Sequence, residues 1–168
     1  MTNLKDFRAA KDVFMREADS PLTPADRTSF VGLQYFEPND GLVLDLPLDV
    51  DVPHDPIPME TSTGGQRTYK RAGRIRFKVD GVEAVAAVYE DEHGYFLPFR
   101  DVTSAHETYA AGRYLEPEKN PDGTIHIDFN YAYNPYCAYS PHFSCPLPPT
   151  ENWLKVPIRA GEKKFHAD

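Results

Sequence analysis

Residues 71–90 read RAGRIRFKVDGVEAVAAVYE, two runs of alternating apolar and polar residues joined by Asp80-Gly81. An Asp-Gly pair suits a two-residue type I′ turn, whose central positions both need a positive φ. Placing the turn there fixes the register of a β-hairpin. Val79 then faces Val82, Phe77 faces Ala84 and Ile75 faces Ala86, which makes one apolar face. Lys78 meets Glu83 on the other face, and Arg71 meets Glu90 where the strands end. Cross-strand pairs of this kind contribute roughly 0.2–1 kcal/mol each, and a slip of one residue would reverse both faces.

Working outward from the hairpin, LVLDLPL (42–48) reads as an edge strand, because Pro47 cannot donate to a ladder. DVPHDPIP reads as a proline-rich connection, with Gly64-Gly65 as a further turn. YFLPFR (95–100) is apolar on both sides, as a buried strand would be. Asn120-Pro121-Asp122-Gly123 is a turn joining GRYLEPE to TIHIDFN. Within TIHIDFN, Ile125, Ile127 and Phe129 share one face, and His126, Asp128 and Asn130 share the other. LKVPIRAGEK supplies a final strand. Toward the N-terminus, Leu4, Phe7, Ala10, Val13 (or Ala9) and Phe14 recur at the spacing of an amphipathic helix over residues 4–18. Thr23-Pro24 opens a short second helical turn that runs to about Phe30. The expected fold is mainly β (α+β). An antiparallel sheet over 42–163 rolls into a partial or closed barrel, with the N-terminal helix packed on it. At 168 residues the chain is expected to form a single domain.

The formal net charge of −8 disfavours a nucleic-acid partner, since phosphate binding needs a basic surface. The one basic cluster, Lys70, Arg71, Arg74, Arg76 and Lys78, alternates with apolar residues inside the hairpin, as the outer face of a sheet does. No window reaches the ~18 apolar residues of a membrane span. MTNLKDFRAAKD lacks the apolar core of a signal peptide. A cytoplasmic protein is expected, with two cysteines as free thiols. Oligomeric state is not readable from the sequence.

Sixteen prolines, nearly twice the usual ~5% share, concentrate attention on DFNYAYNPYCAYSPHFSCPLPP (128–149). That segment holds both cysteines, four tyrosines and one charged residue. So much apolar surface is not left in water, and proline lowers the entropy lost on ordering. A long, ordered Tyr/Pro-rich loop is therefore expected. Its tyrosines either line a concave site beside Asp128, Asn130 and Asn134, or seal one end of the barrel with their hydroxyls bonded inward. Cys137, His142 and Cys145 offer three metal ligands without the paired short spacing of structural zinc, so no metal is expected. Cys137 reads as a nucleophile if a base or cation holds it as thiolate, and otherwise as a small apolar residue. A second polar group lies in FRDVTSAHETYAAGRYL (99–115). There Arg113 either clamps a ligand anion or pairs with Asp101, Glu107 or Asp128.

These two segments, together with SPLTPADRTSFVGLQYF, the YKRAGRIRF hairpin and NWLKVPIRAGEK, resemble the bacterial and archaeal family termed domain of unknown function 1684. The resemblance spans nearly the whole chain and implies no activity or cofactor. Where the family pattern usually has glycines before GRYL, this chain has Ala105, Ala110 and Ala111. Trp153 stands where a basic residue is common.

The leading functional expectation is a small-molecule ligand or active site between residues 99–114 and 126–137. Asp128 or His126 would act as base, and Cys137 as nucleophile or wall. Arg113, Tyr109, Asn130, Tyr133, Asn134 and Asp101 would hold the ligand. The alternative is a non-catalytic interaction or structural module whose loop binds a partner or caps the barrel.

Overall fold

The computed structural model describes residues 3–166. The hairpin forms as the Asp-Gly turn requires: Asp80 (φ 50°) and Gly81 (φ 80°) are both left-handed. They join β3 (Gln66–Val79) to β4 (Val82–Asp91). Val79 faces Val82, Lys78 faces Glu83, Phe77 faces Ala84 and Ile75 faces Ala86. The expected Arg71–Glu90 pair does not form. The register shifts between Arg71 and Gly73, so that Arg71 faces Tyr89 and Lys70 faces Glu90. The inserted residue is a β-bulge. Next to it the chain comes close to its neighbour: a side chain at Gly73 would stand 2.5 Å from the Asp49 carbonyl oxygen and 2.7 Å from the Leu48 side chain. Beside it, Asp49 and Arg74 exchange two backbone hydrogen bonds of 2.9 Å.

β2 (Pro56–Glu60), β5 (Gly94–Phe99) and β6 (Arg113–Leu115) complete a five-stranded antiparallel sheet in the order β2-β3-β4-β5-β6. β2 corrects the reading of DVPHDPIP as connection alone. Pro56 and Pro58 are tolerated because β2 is the sheet's edge. A second sheet has the order β1-β8-β7, from β1 (Val43–Leu46), β7 (Glu118–Lys119) and β8 (Ile125–Asp128). The Asp49–Arg74 bridge ties this small sheet to β3, and a Tyr114–Tyr133 bridge ties its far end to β6. The result is a curled, barrel-like antiparallel wall around a core that includes Ile75, Phe77, Val88, Leu97, Phe99, Ile125, Ile127 and Phe129.

The C-terminal stretch read as a strand is instead an extended strap. It pairs at isolated points, with the Phe36 amide donating to the Gly161 carbonyl and the Lys163 amide to the Gln34 carbonyl. The helix α1 (Leu4–Met15) is three residues shorter than the expected 4–18, and its packed face differs. Val13 is exposed and Met15 is fully buried. Lys11 turns inward to pair with Glu162, a buried carboxylate on the strap. The face that packs therefore carries this ion pair as well as apolar residues. The second helix, α2 (Pro24–Ser29), starts at Thr23, whose hydroxyl accepts from the Asp26 amide. No helix among the described residues is long and apolar enough to cross a membrane.

Candidate functional site

The Tyr/Pro-rich loop is ordered by backbone pairing at both ends. Tyr133 and Tyr114 exchange amide–carbonyl bonds of 3.1 and 2.9 Å. Farther along, the Ser62 amide donates to the Cys145 carbonyl at 2.9 Å and the Leu147 amide to the Glu60 carbonyl at 2.8 Å. Side chains complete the attachment. The Tyr114 hydroxyl donates to the Pro146 carbonyl, and the Tyr133 hydroxyl donates to Glu116. The Tyr139 hydroxyl donates to Glu162 at 2.6 Å. Burial raises the pKa of all three phenols, assisted by nearby Glu116 at Tyr133 and Glu162 at Tyr139, so they stay protonated as donors.

Alternation along β6 separates the polar residues that the sequence grouped. Arg113 lies against Phe99 in the barrel interior, whereas Tyr114 packs in a second cluster with Met59, Tyr89, Phe96 and Cys145. Arg113 is wholly buried, and its guanidinium donates to the carbonyls of Ile158, Ala160 and Glu162. Burial lowers its pKa to about 10, with Asp101 and Glu162 opposing the fall, so it remains a cation at neutral pH. Asp101 stands 3.7 Å away and accepts from the hydroxyls of Thr103 and Ser104 and from the Ile158 amide. This group clamps the C-terminal strap.

Asp128 accepts from the Asn130 amide and side chain at 2.9 Å each. Asn130 in turn binds the Asn39 amide at 2.8 Å and donates to its carbonyl at 3.1 Å. Because Phe129–Tyr131 is a turn of 3-10 helix, Asn130 leaves the outward face expected of it and is buried. His126 lies near the surface, 2.8 Å from Asp45. Asn134 is buried, with its amide on Glu162 and its side-chain nitrogen on the Lys163 carbonyl.

One contact joins the two expected segments through reactive atoms: the Tyr109 hydroxyl donates to Cys137 Sγ at 3.4 Å. Cys137 is half-buried and Cys145 buried, and both are free thiols. The neighbouring Cys145 thiol is the main influence drawing the Cys137 pKa down, to about 6. Burial opposes that shift, and the Tyr109 hydroxyl reinforces it. The same contact pushes Cys145 up, because its proton is held against the neighbouring thiolate. Ser62 is placed by the bonds that fix Cys145, since its hydroxyl accepts from the Cys145 amide at 3.1 Å and donates to the Phe143 carbonyl at 3.0 Å. Just outside, Tyr136 and Phe143 meet edge to face at 5.2 Å, both exposed.

Ser62 and Glu162 are the site residues that sequence reasoning missed. Ser62 sits 83 residues from Cys145 with no motif around it. Glu162 reads as one charge in a solvated Gly-Glu-Lys-Lys run. Two surface depressions, of about 380 and 500 Å3, are lined by residues outside segments 99–114 and 126–137. Among the described residues, no three His, Cys, Asp or Glu side chains gather as a metal-binding group.

A curled antiparallel wall with an N-terminal helix packed against it defines the fold. It is shared with a solved structure, the solution NMR structure of an uncharacterized protein from Haloarcula marismortui. The two chains are 37% identical and superpose with a TM-score of 0.71, over 95% of this chain and 91% of the other. The chain belongs to the family described as protein of unknown function (DUF1684), whose model matches residues 28–163. Among curated proteins, none matches.

Proposed function

We propose that this protein holds a small-molecule site at the seam between residues 99–114 and 126–137, with Cys137 as a nucleophilic thiolate toward a small electrophile. The observation that carries this reading is the Tyr109–Cys137 hydrogen bond, which brings a donor from one segment onto the sulfur of the other. A sulfur that accepts hydrogen bonds holds its negative charge at lower pH, and the thiolate is the reactive form. No general base is then required, which leaves Asp128 to hold its turn and His126 to pair with Asp45. Tyr109 positions the sulfur, and the exposed Tyr136–Phe143 pair offers an apolar edge for the ligand. Free thiols accord with a reducing, cytoplasmic setting.

The test is the rate of iodoacetamide alkylation of Cys137 against pH, followed by peptide mass. The expected midpoint lies well below the ordinary thiol value of roughly 8.5, and Tyr109→Phe moves it upward. An ordinary midpoint in the wild type, unchanged by Tyr109→Phe, sinks the reading.

A second reading is favoured by a different observation. The hydroxyls of Tyr114, Tyr133 and Tyr139 all donate to internal acceptors, as a loop that caps the barrel requires. Tyr139→Phe would then lower stability by about 1–3 kcal/mol, by leaving part of buried Glu162 unpaired, without changing Cys137 alkylation.

A further inference from the structure

We infer that Cys137 and Cys145 form a two-electron redox pair, which a small hydroperoxide converts to an intramolecular disulfide. The inference rests on the reading of Cys137 as the reactive thiol and adds its co-reactant and its partner.

The two sulfurs occupy one cluster, with Cys137 packed against the group that contains Cys145, Tyr114 and Met59. Their exposures differ in the useful direction. Cys137 is half-buried and open to a small oxidant, while Cys145 is covered. Cys145 is also the fixed member, because its amide and carbonyl both bind Ser62. Cys137 lies on a single 3-10 turn, Tyr136–Ala138. The chain between them passes through the exposed residues Pro141, His142 and Phe143. Ala138, Tyr139 and Ser140 are buried and Tyr139 is held by Glu162, so the exposed bend after them is the part of the segment free to adjust as the sulfurs come to bonding distance.

The chemistry balances with the peroxide alone. The Cys137 thiolate attacks the terminal peroxide oxygen, so that an S–O bond forms and the O–O bond breaks. The departing hydroxide or alkoxide takes a proton from solvent. The Cys145 sulfur then attacks the sulfenic acid at Cys137, forming S–S and breaking S–O. The released hydroxide combines with the Cys145 proton as water. Two thiols lose two electrons, and the peroxide gains them.

The experiment treats the reduced full chain with equimolar hydrogen peroxide, and reads free thiols, intact mass and a non-reducing peptide map. The expected result is loss of both thiols, a mass lower by two hydrogens and a peptide joining residue 137 to residue 145. Cys145→Ser should stop at a sulfenic acid that dimedone traps, and Cys137→Ser should consume peroxide about tenfold more slowly or worse. Retention of both thiols, or disulfides only between chains, overturns the inference. Fast, low-pH alkylation of Cys137 without the internal disulfide would sink this pairing and leave the thiolate site standing. An internal disulfide with an ordinary alkylation midpoint would do the reverse.

Discussion

The guanidinium of Arg113 stands 3.7 Å from the carboxylate of Asp101, and solvent reaches about 1% of either side chain. A pair so deeply covered is held less by mutual attraction than by the hydrogen bonds that occupy the remaining donors and acceptors. Arg113 supplies them by reaching three strap carbonyls. Arg113→Ala should cost about 3–5 kcal/mol in urea unfolding, because it strands a buried carboxylate. Arg113→Lys should recover little, since an ammonium cannot reproduce the planar fork. Near-full stability in the lysine variant would contradict this account.

Asn152 is fully buried and serves as a piece of backbone. Its Oδ1 accepts from the Ala87 amide, and its Nδ2 donates to the carbonyls of Ala87 and Pro98, all at 2.8 Å. The β4–β5 ladder runs only from Tyr89 to Asp91 opposite Phe96 to Gly94, so the amide fills the gap where the strands separate. Asn152→Ala leaves three buried groups unpaired, at roughly 1–3 kcal/mol each. Thermal unfolding should show the variant several degrees less stable than a surface control such as Lys155→Ala.

Ala105 adopts φ 72°, a conformation that penalises its methyl group. Its side chain is exposed, so little packing is lost by removing it. Ala105→Gly is expected to stabilise by about 0.5–1 kcal/mol, visible as a higher urea midpoint at unchanged slope.

Arg71 and Tyr89 face each other across the bulged ladder and both grip Glu151. Arg71 donates twice, at 3.0 and 2.9 Å, and the Tyr89 hydroxyl once, at 2.6 Å. Burial alone would raise the Glu151 pKa, and these bonds outweigh it so that the net shift is downward. A depressed carboxylate contributes stability above its unfolded pKa of roughly 4.3 and loses it as pH falls through the folded value. Glu151→Gln should therefore be less stable than wild type at pH 7 by about 1 kcal/mol, since solvent reaches a third of the carboxylate. The two urea midpoints should converge near pH 3. A gap that persists into acid would assign the loss to packing.

The turn-proximal hairpin was legible because a two-residue turn fixes phase and alternation propagates it from Val79–Val82 to Ile75–Ala86. The bulge was not. A glycine within a strand hints at one, yet the reason for Gly73 is the backbone of Asp49, which reaches it only in the folded chain. The same limit applied to α1, where spacing marked an apolar stripe and a buried carboxylate from the far end of the chain drew Lys11 inward. Of the candidate site, the Tyr/Pro loop and its ordering could be read from composition. The assignment of Arg113 to three carbonyls could not, because backbone acceptors leave no mark in a sequence.

The strap that receives Arg113 also sets a timetable for synthesis. Glu162 lies 49 positions after Arg113 and 151 after Lys11. At roughly 5–20 residues per second on the ribosome, β6 emerges seconds before the acceptors of its cation exist. A nascent chain halted near Pro148 would carry an unmatched guanidinium and an undocked helix. The clamp around Arg113 therefore closes only once the strap has been made, whatever has formed before it.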